Sequence, residues 1–206
     1  TFLCRTQSQA NAPRINPLQA EDKIMHKAIW ATVVLAVCSS SLVAQDLKSG
    51  LQVGEEATPF HVKDCTSQKN KGELLCYMCT YGRRPVVCVM TRTLSDEVAS
   101  LIKQIEKEVD DNKDSGIRAF VVMLSFDPEY DEKQLEKFAK KHKTKIPLTL
   151  FDSPAGPPAY KVSKKAEVTV MQWNNRTVKA NKGFAKGKLD KKGTAAVIKD
   201  IKKILD

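Results

Sequence analysis

Two apolar runs separated by an amphipathic stretch constrain this chain more than any other feature. Residues 85–90 (Pro85, Val86, Val87, Cys88, Val89, Met90) are short and rich in β-branched side chains, the pattern of a buried strand rather than a helix. Residues 117–124 form a second, longer run of the same kind. Between them Leu94, Val98, Leu101, Ile102, Ile105 and Val109 recur at helical spacing, and after the second run Leu135, Phe138, Ala139 and His142 mark one face of another helix. Strand, helix, strand, helix in this order implies a parallel pair joined by a right-handed crossover, and so an α/β core.

The flanks add the remaining elements. Upstream, residues 60–64 alternate and read as an edge strand, and Thr93 with Asp96 fits a capping box for the first helix. Downstream, residues 146–151 form another short strand before the turn-rich stretch 152–158. Residues 168–173 and 177–180 flank Asn174, Asn175 and Arg176, a short turn that predicts a hairpin. A last helix is expected over residues 191–205, with Val197, Ile198, Ile201, Ile204 and Leu205 on one face.

The start of the chain reads as targeting rather than fold. Met25, His26 and Lys27 precede about ten apolar residues, too short a run to span a bilayer and ordered like a secretory signal peptide over residues 25–44. Residues 1–24 then form a disordered or spurious leader, and residues 45–206 the working domain. Cys38 sits in a segment resembling a lipoprotein acylation box, although Val37 stands where a small residue is expected. The predicted location is extracytoplasmic, periplasmic or secreted in bacterial fashion.

Net charge is +10 and uneven, the lysines gathering in the second half at Lys140, Lys141, Lys143 and Lys145 and again at Lys186, Lys188, Lys191 and Lys192. Few aromatics or arginines interleave with them, which argues against a nucleic-acid partner and leaves weak contact with an anionic surface as the most this half would do.

Past the signal segment four cysteines remain: Cys65, Cys76, Cys79 and Cys88. Cys88 lies inside an apolar strand, where a thiol behaves as a small apolar group. Cys76 and Cys79, spaced as Cys-x-x-Cys, are the candidate redox pair, with Arg83 and Arg84 close enough in sequence to favour a thiolate. The pair precedes a strand instead of following one, the wrong end for activation by a helix N-terminus. A zinc site from His61, Cys65, Cys76 and Cys79 has suitable ligand types but only one Cys-x-x-Cys, and no cofactor or metal is expected. Two further matches have plainer readings: Asn175-Arg176-Thr177 fits a glycosylation acceptor through turn chemistry, and residues 110–114 look like a calcium-loop fragment but end a helix in solvent.

The order of elements, a βαβ unit followed by a hairpin and a closing helix, resembles the thioredoxin-like fold. Two phrases resemble its redoxin and peroxiredoxin branch more narrowly: residues 53–60, like "V-G-x-x-A-P-x-F", and residues 146–162, like "P-L-L-S-D-P…A-Y-G-V". The resemblance implies a three-layer α/β/α sandwich with a mixed central sheet. It also implies a reactive cysteine between the first long strand and the following helix, but residues 91–96 contain none. Thr91, Arg92 and Thr93 supply the residue types that orient a peroxide in that family, without a nucleophile to serve. The proline that thioredoxins place ahead of the hairpin is also missing from residues 165–168. Two readings of function follow: a non-catalytic or divergent redoxin module, or a thiol–disulfide oxidoreductase using the displaced pair Cys76 and Cys79 on an extracytoplasmic protein thiol or disulfide. Peroxidase activity is not expected.

Overall fold

The computed structural model describes residues 47–205. The leader, the signal segment and Cys38 lie outside the described residues. Seven strands form one sheet: β1 (Val62–Asp64), β2 (Leu74–Leu75), β3 (Val86–Thr91), β4 (Arg118–Leu124), β5 (Leu148–Phe151), β6 (Ala166–Asn174) and β7 (Thr177–Ala185). Their spatial order is β2-β1-β5-β4-β3-β6-β7. Strands β3, β4 and β5 are parallel, whereas the outer pairings are antiparallel. The helices are α1 (Tyr77–Tyr81), α2 (Asp96–Asp111), α3 (Pro128–His142), α4 (Lys191–Asp200) and α5 (Lys202–Leu205).

Strand β3 is buried along its whole length, and alternate side chains enter two cores. Val87 and Val89 join Leu101, Ile102 and Ile105 of α2, Leu135 and Phe138 of α3, and Val197 of α4. Val86, Cys88 and Met90 face the other way, toward Phe60, Tyr77, Phe120, Tyr160 and Trp173. Burying each such apolar side chain stabilises the fold by about 1.5–3 kcal/mol, so the two cores together fix the sheet between its layers. The second layer is thin, built from the chain around Leu51 to Phe60, the five-residue α1 and a single 3₁₀ turn at Pro158–Tyr160.

The two phrases that carry the family resemblance meet in this second layer. The rings of Phe60 and Tyr160 pack edge-on at 4.7 Å. The Tyr160 hydroxyl donates to the Thr58 carbonyl at 2.8 Å, and Lys161 pairs with Glu55. The amino-terminal segment is also laced to the hairpin, with Gly54 N–H donating to Val178 O and Ala57 N–H to Arg176 O. Gly183 on β7 is required here, because a Cβ would stand 2.1 Å from the Leu47 carbonyl oxygen.

Several local expectations are corrected. β1 is an inner strand, flanked by β5 and by the two-residue β2, which is the true edge. Helix α2 is capped by Ser95, whose side chain accepts from Val98 N–H, and not by Thr93. Thr93 instead donates its backbone N–H to the Thr91 hydroxyl, forming a local turn that delays the helix. The last helix is interrupted at Ile201, where the N–H of Ile201 bonds to Ile198 O in a tighter turn. The hairpin turn is as expected, with Asn175 and Arg176 at φ 52° and 67°, the left-handed pair of a type I′ turn.

Candidate functional site

Cys76 and Cys79 form a disulfide, with an S–S distance of 2.02 Å and Cα atoms 5.2 Å apart. The expectation that the pair lies away from any helix N-terminus is corrected. Cys76 is the N-cap of α1, and the N–H of Cys79 donates to Cys76 Sγ at 3.1 Å. The cap holds one of the otherwise unpaired amides of the first helical turn. At the other end Gly82, at φ 65°, closes the helix by donating its N–H to Met78 O, a backbone geometry that glycine adopts without strain.

The two sulfurs have unequal surroundings. Cys76 is 8% exposed and packs with Tyr77 and Met78 in the second core, whereas Cys79 and its neighbour Thr80 are exposed. Tyr77 anchors the helix twice over. Its ring stacks on Phe120 at 5.3 Å, and its hydroxyl donates to Asp64 Oδ2 at 2.5 Å. Asp64 also accepts from the hydroxyl of Ser67 and, through Oδ1, from the amides of Thr66 and Ser67. Burial alone would raise the Asp64 pKa, but these hydrogen bonds outweigh it and hold the carboxyl below the usual carboxylate range. The Tyr77 phenol is pushed up, first by burial and then by the carboxylate beside it, so it stays a donor.

Arg83 and Arg84, expected to support a thiolate, are exposed beyond the end of α1. The Arg83 carbonyl accepts from Asn175 N–H at the hairpin turn, which ties the loop after α1 to β6 and β7. Cys65 and Cys88 are free and fully buried. Burial pushes the Cys65 thiol up to about 12 and raises Cys88 further, which disfavours the thiolate at both. The four residues of the suggested zinc site are not assembled: Cys65 lies in the first core, Cys76 in the second, and His61 is exposed. Among the described residues no group of three or more His, Cys, Asp or Glu is placed to hold a metal ion.

At the opposite end of β3 the residues that could have oriented a peroxide have another occupation. Arg92 points its guanidinium at backbone carbonyls, donating from Nε and Nη2 to Pro154 O at 3.0 and 2.7 Å and from Nη1 to Ser163 O at 3.2 Å and to Ala166 O. Thr91 is fully buried and its hydroxyl donates to Thr93 O. Arg92 thus clamps the loop between β5 and β6, and Thr91 fixes the local turn that leads into α2.

Solved structures share this architecture. A protein from Bacteroides thetaiotaomicron assigned as a protein disulfide isomerase is 14% identical, with a TM-score of 0.59 over 77% of this chain and 94% of its own. A protein from Chlorobium tepidum assigned as thiol:disulfide interchange protein DsbE is 14% identical, with a TM-score of 0.57 over 76% of this chain and 99% of its own. Peroxidoxin BcpB from Mycobacterium tuberculosis is 16% identical, with a TM-score of 0.52 over 75% and 98%. The fold is thioredoxin-like. No family model and no curated protein matches the sequence. At these identities the likeness is one of fold, and the thioredoxin-like domain has to be read from its own residues.

What sequence reasoning missed here are Asp64, Tyr77 and the clamp made by Arg92. Asp64 had a signal, since an aspartate two and three residues before Thr66 and Ser67 is the pattern of a side chain that caps its own turn. Its partner Tyr77 lies 13 residues away, and no local pattern links them.

Proposed function

We propose that the domain carries out thiol–disulfide exchange through the Cys76–Cys79 pair, on a redoxin scaffold whose usual strand-to-helix site is absent. The observation that carries this reading is a disulfide held at the surface with one exposed partner, Cys79, on an otherwise anchored helix.

A purely structural role explains the bond less well. Closing a loop of about four residues removes little chain entropy, worth about 2 kcal/mol compared with about 4.7 for a 100-residue loop. Helix α1 is already fixed by the ring stack, the Asp64 bond and the Gly82 cap. A redox role uses what the staple does not need, which is access. The partner would be a protein thiol or disulfide in an oxidising compartment, and the signal-peptide order of residues 25–44 supports export. Among the described residues no helix is long and apolar enough to cross a membrane. N-terminal sequencing of the native protein should find a start near Gln45, and a retained leader would overturn export.

Equilibration with a dithiol redox buffer tests the exchange reading. The expected reduction potential lies in the oxidoreductase range, roughly −270 to −120 mV, and turnover is lost on Cys76→Ser. A potential below about −300 mV, or a bond that dithiols do not open, would mark a structural disulfide and return the chain to a catalytically silent module.

A further inference from the structure

We infer that Cys79, the second cysteine of the pair, is the sulfur that exchanges with a partner, and that Cys76 is the leaving and resolving sulfur; this rests on the exchange reading above. The two half-reactions differ in access. A thiolate attacks a disulfide sulfur in line with the bond that breaks, from the side away from the leaving sulfur. For attack on Cys79 that side belongs to an exposed residue beside exposed Thr80. For attack on Cys76 it is the side of a residue that is 8% exposed and packed with Tyr77 and Met78.

The leaving group points the same way. The N–H of Cys79 donates to Cys76 Sγ at 3.1 Å, and that bond strengthens when the sulfur carries charge. A stabilised thiolate leaves faster. Tyr77, next to Cys76 in sequence, is fixed to Phe120 and Asp64, so the cap geometry is held while the bond opens.

The steps balance. In the first, the thiolate of a reducing thiol attacks Cys79 Sγ; the new S–S bond joins partner and Cys79, the Cys76–Cys79 bond breaks, and its electron pair stays on Cys76 Sγ as a thiolate. In the second, a further thiolate of the reductant attacks the partner sulfur and Cys79 departs as a thiolate. The reductant ends as a disulfide, the protein as a dithiol after two protons are taken from water, and two electrons have passed. Run backwards, Cys79 attacks a partner disulfide and Cys76 resolves the mixed intermediate. Burial of Cys76 does not hinder that step, because its target is the neighbouring Cys79.

Wild-type protein provides the test, with glutathione as the probe. The oxidised protein is mixed with reduced glutathione, quenched in acid, unfolded, alkylated and mapped by peptide mass spectrometry. The expected product carries glutathione on Cys79 and the alkyl group on Cys76, in excess over the reverse by about tenfold or more. Glutathione on Cys76, or equally on both, overturns the order while leaving exchange intact. In parallel, Cys76→Ser should form a mixed disulfide with oxidised glutathione faster than Cys79→Ser, and the opposite ranking overturns the order. If dithiothreitol fails to open the wild-type bond, the exchange reading itself falls, a result separable from either ranking.

Discussion

The two ends of β3 treat polar chemistry in opposite ways. At the carboxyl end, Thr91 and Arg92 turn their donors inward, and the guanidinium is taken up by the carbonyls of Pro154, Ser163 and Ala166. At the amino end, α1 anchors its inner residues and leaves Cys79 facing outward. The contrast teaches that a charged side chain at the expected place is weak evidence for a site until its hydrogen bonds are counted. Once saturated by backbone, Arg92 is part of the architecture. A cysteine that packing leaves exposed stays available for chemistry.

The largest effect that would break this contrast is the loss of Arg92. Arg92→Ala strips four donor contacts from three carbonyls that have been taken partly out of water, and stability should fall by about 3 kcal/mol. Urea unfolding measures this directly. Arg92→Lys, keeping the charge but not the fork of donors, should recover only part of it. Exchange at Cys79 should stay within about twofold of wild type, as its machinery is local to α1. A variant that folds normally but loses exchange would show that the two ends are coupled.

At the amino end the corresponding test is Tyr77→Phe. It keeps the stack on Phe120 and removes only the hydroxyl bond to Asp64, a bond to a charged group worth about 2 kcal/mol. The pH dependence follows from Asp64. Its folded pKa is depressed, so its contribution is fully present above the unfolded carboxylate value of about 4 and is lost as pH falls through the lower folded value. Acid titration of stability should therefore show a decline below about pH 4 that is shallower in Tyr77→Phe and shallower still in Asp64→Asn, where the part that remains belongs to other carboxylates held low, such as Asp110 and Glu136. An unchanged acid limb in Asp64→Asn would mean that the carboxylate does not anchor the helix.

How much of this was legible in the sequence depended on the range of the interaction. The central strands and the main helices were readable because periodicity is a local signal, and residues 53–60 and 146–162 were recognisable as phrases before their contact through Phe60 and Tyr160 was known. α1 was not readable, since five residues cannot show a helical stripe and the Cys76 cap is a sulfur rather than a hydroxyl. β2 has two residues and exists only through its pairing with β1, so β1 looked like an edge. The function of Arg92 could not be seen either, because its acceptors lie 62 to 74 residues away and are backbone carbonyls that any sequence would supply.

The smallest expected effect sharpens the contrast through a reaction that should not happen. Hydrogen peroxide needs an accessible thiolate, and residues 91–96, the strand-to-helix turn capped by Ser95, contain no cysteine. The free thiols among the described residues are poor substitutes. Burial pushes the Cys65 thiol up to about 12, and Cys88 is buried in the strand itself, so neither offers a ready thiolate at neutral pH. The remaining pair is already oxidised to the disulfide. Stopped-flow mixing of the isolated protein with hydrogen peroxide should therefore give no fast phase, and mass spectrometry no sulfenic acid. After prior reduction of the pair, slow oxidation back to the disulfide is expected to begin at Cys79, the exposed residue of the pair. A rapid phase in the oxidised domain of residues 45–206 would place a peroxide-reactive thiol at Cys65 or Cys88, and would mean that the core around one of them opens far more readily than its packing implies.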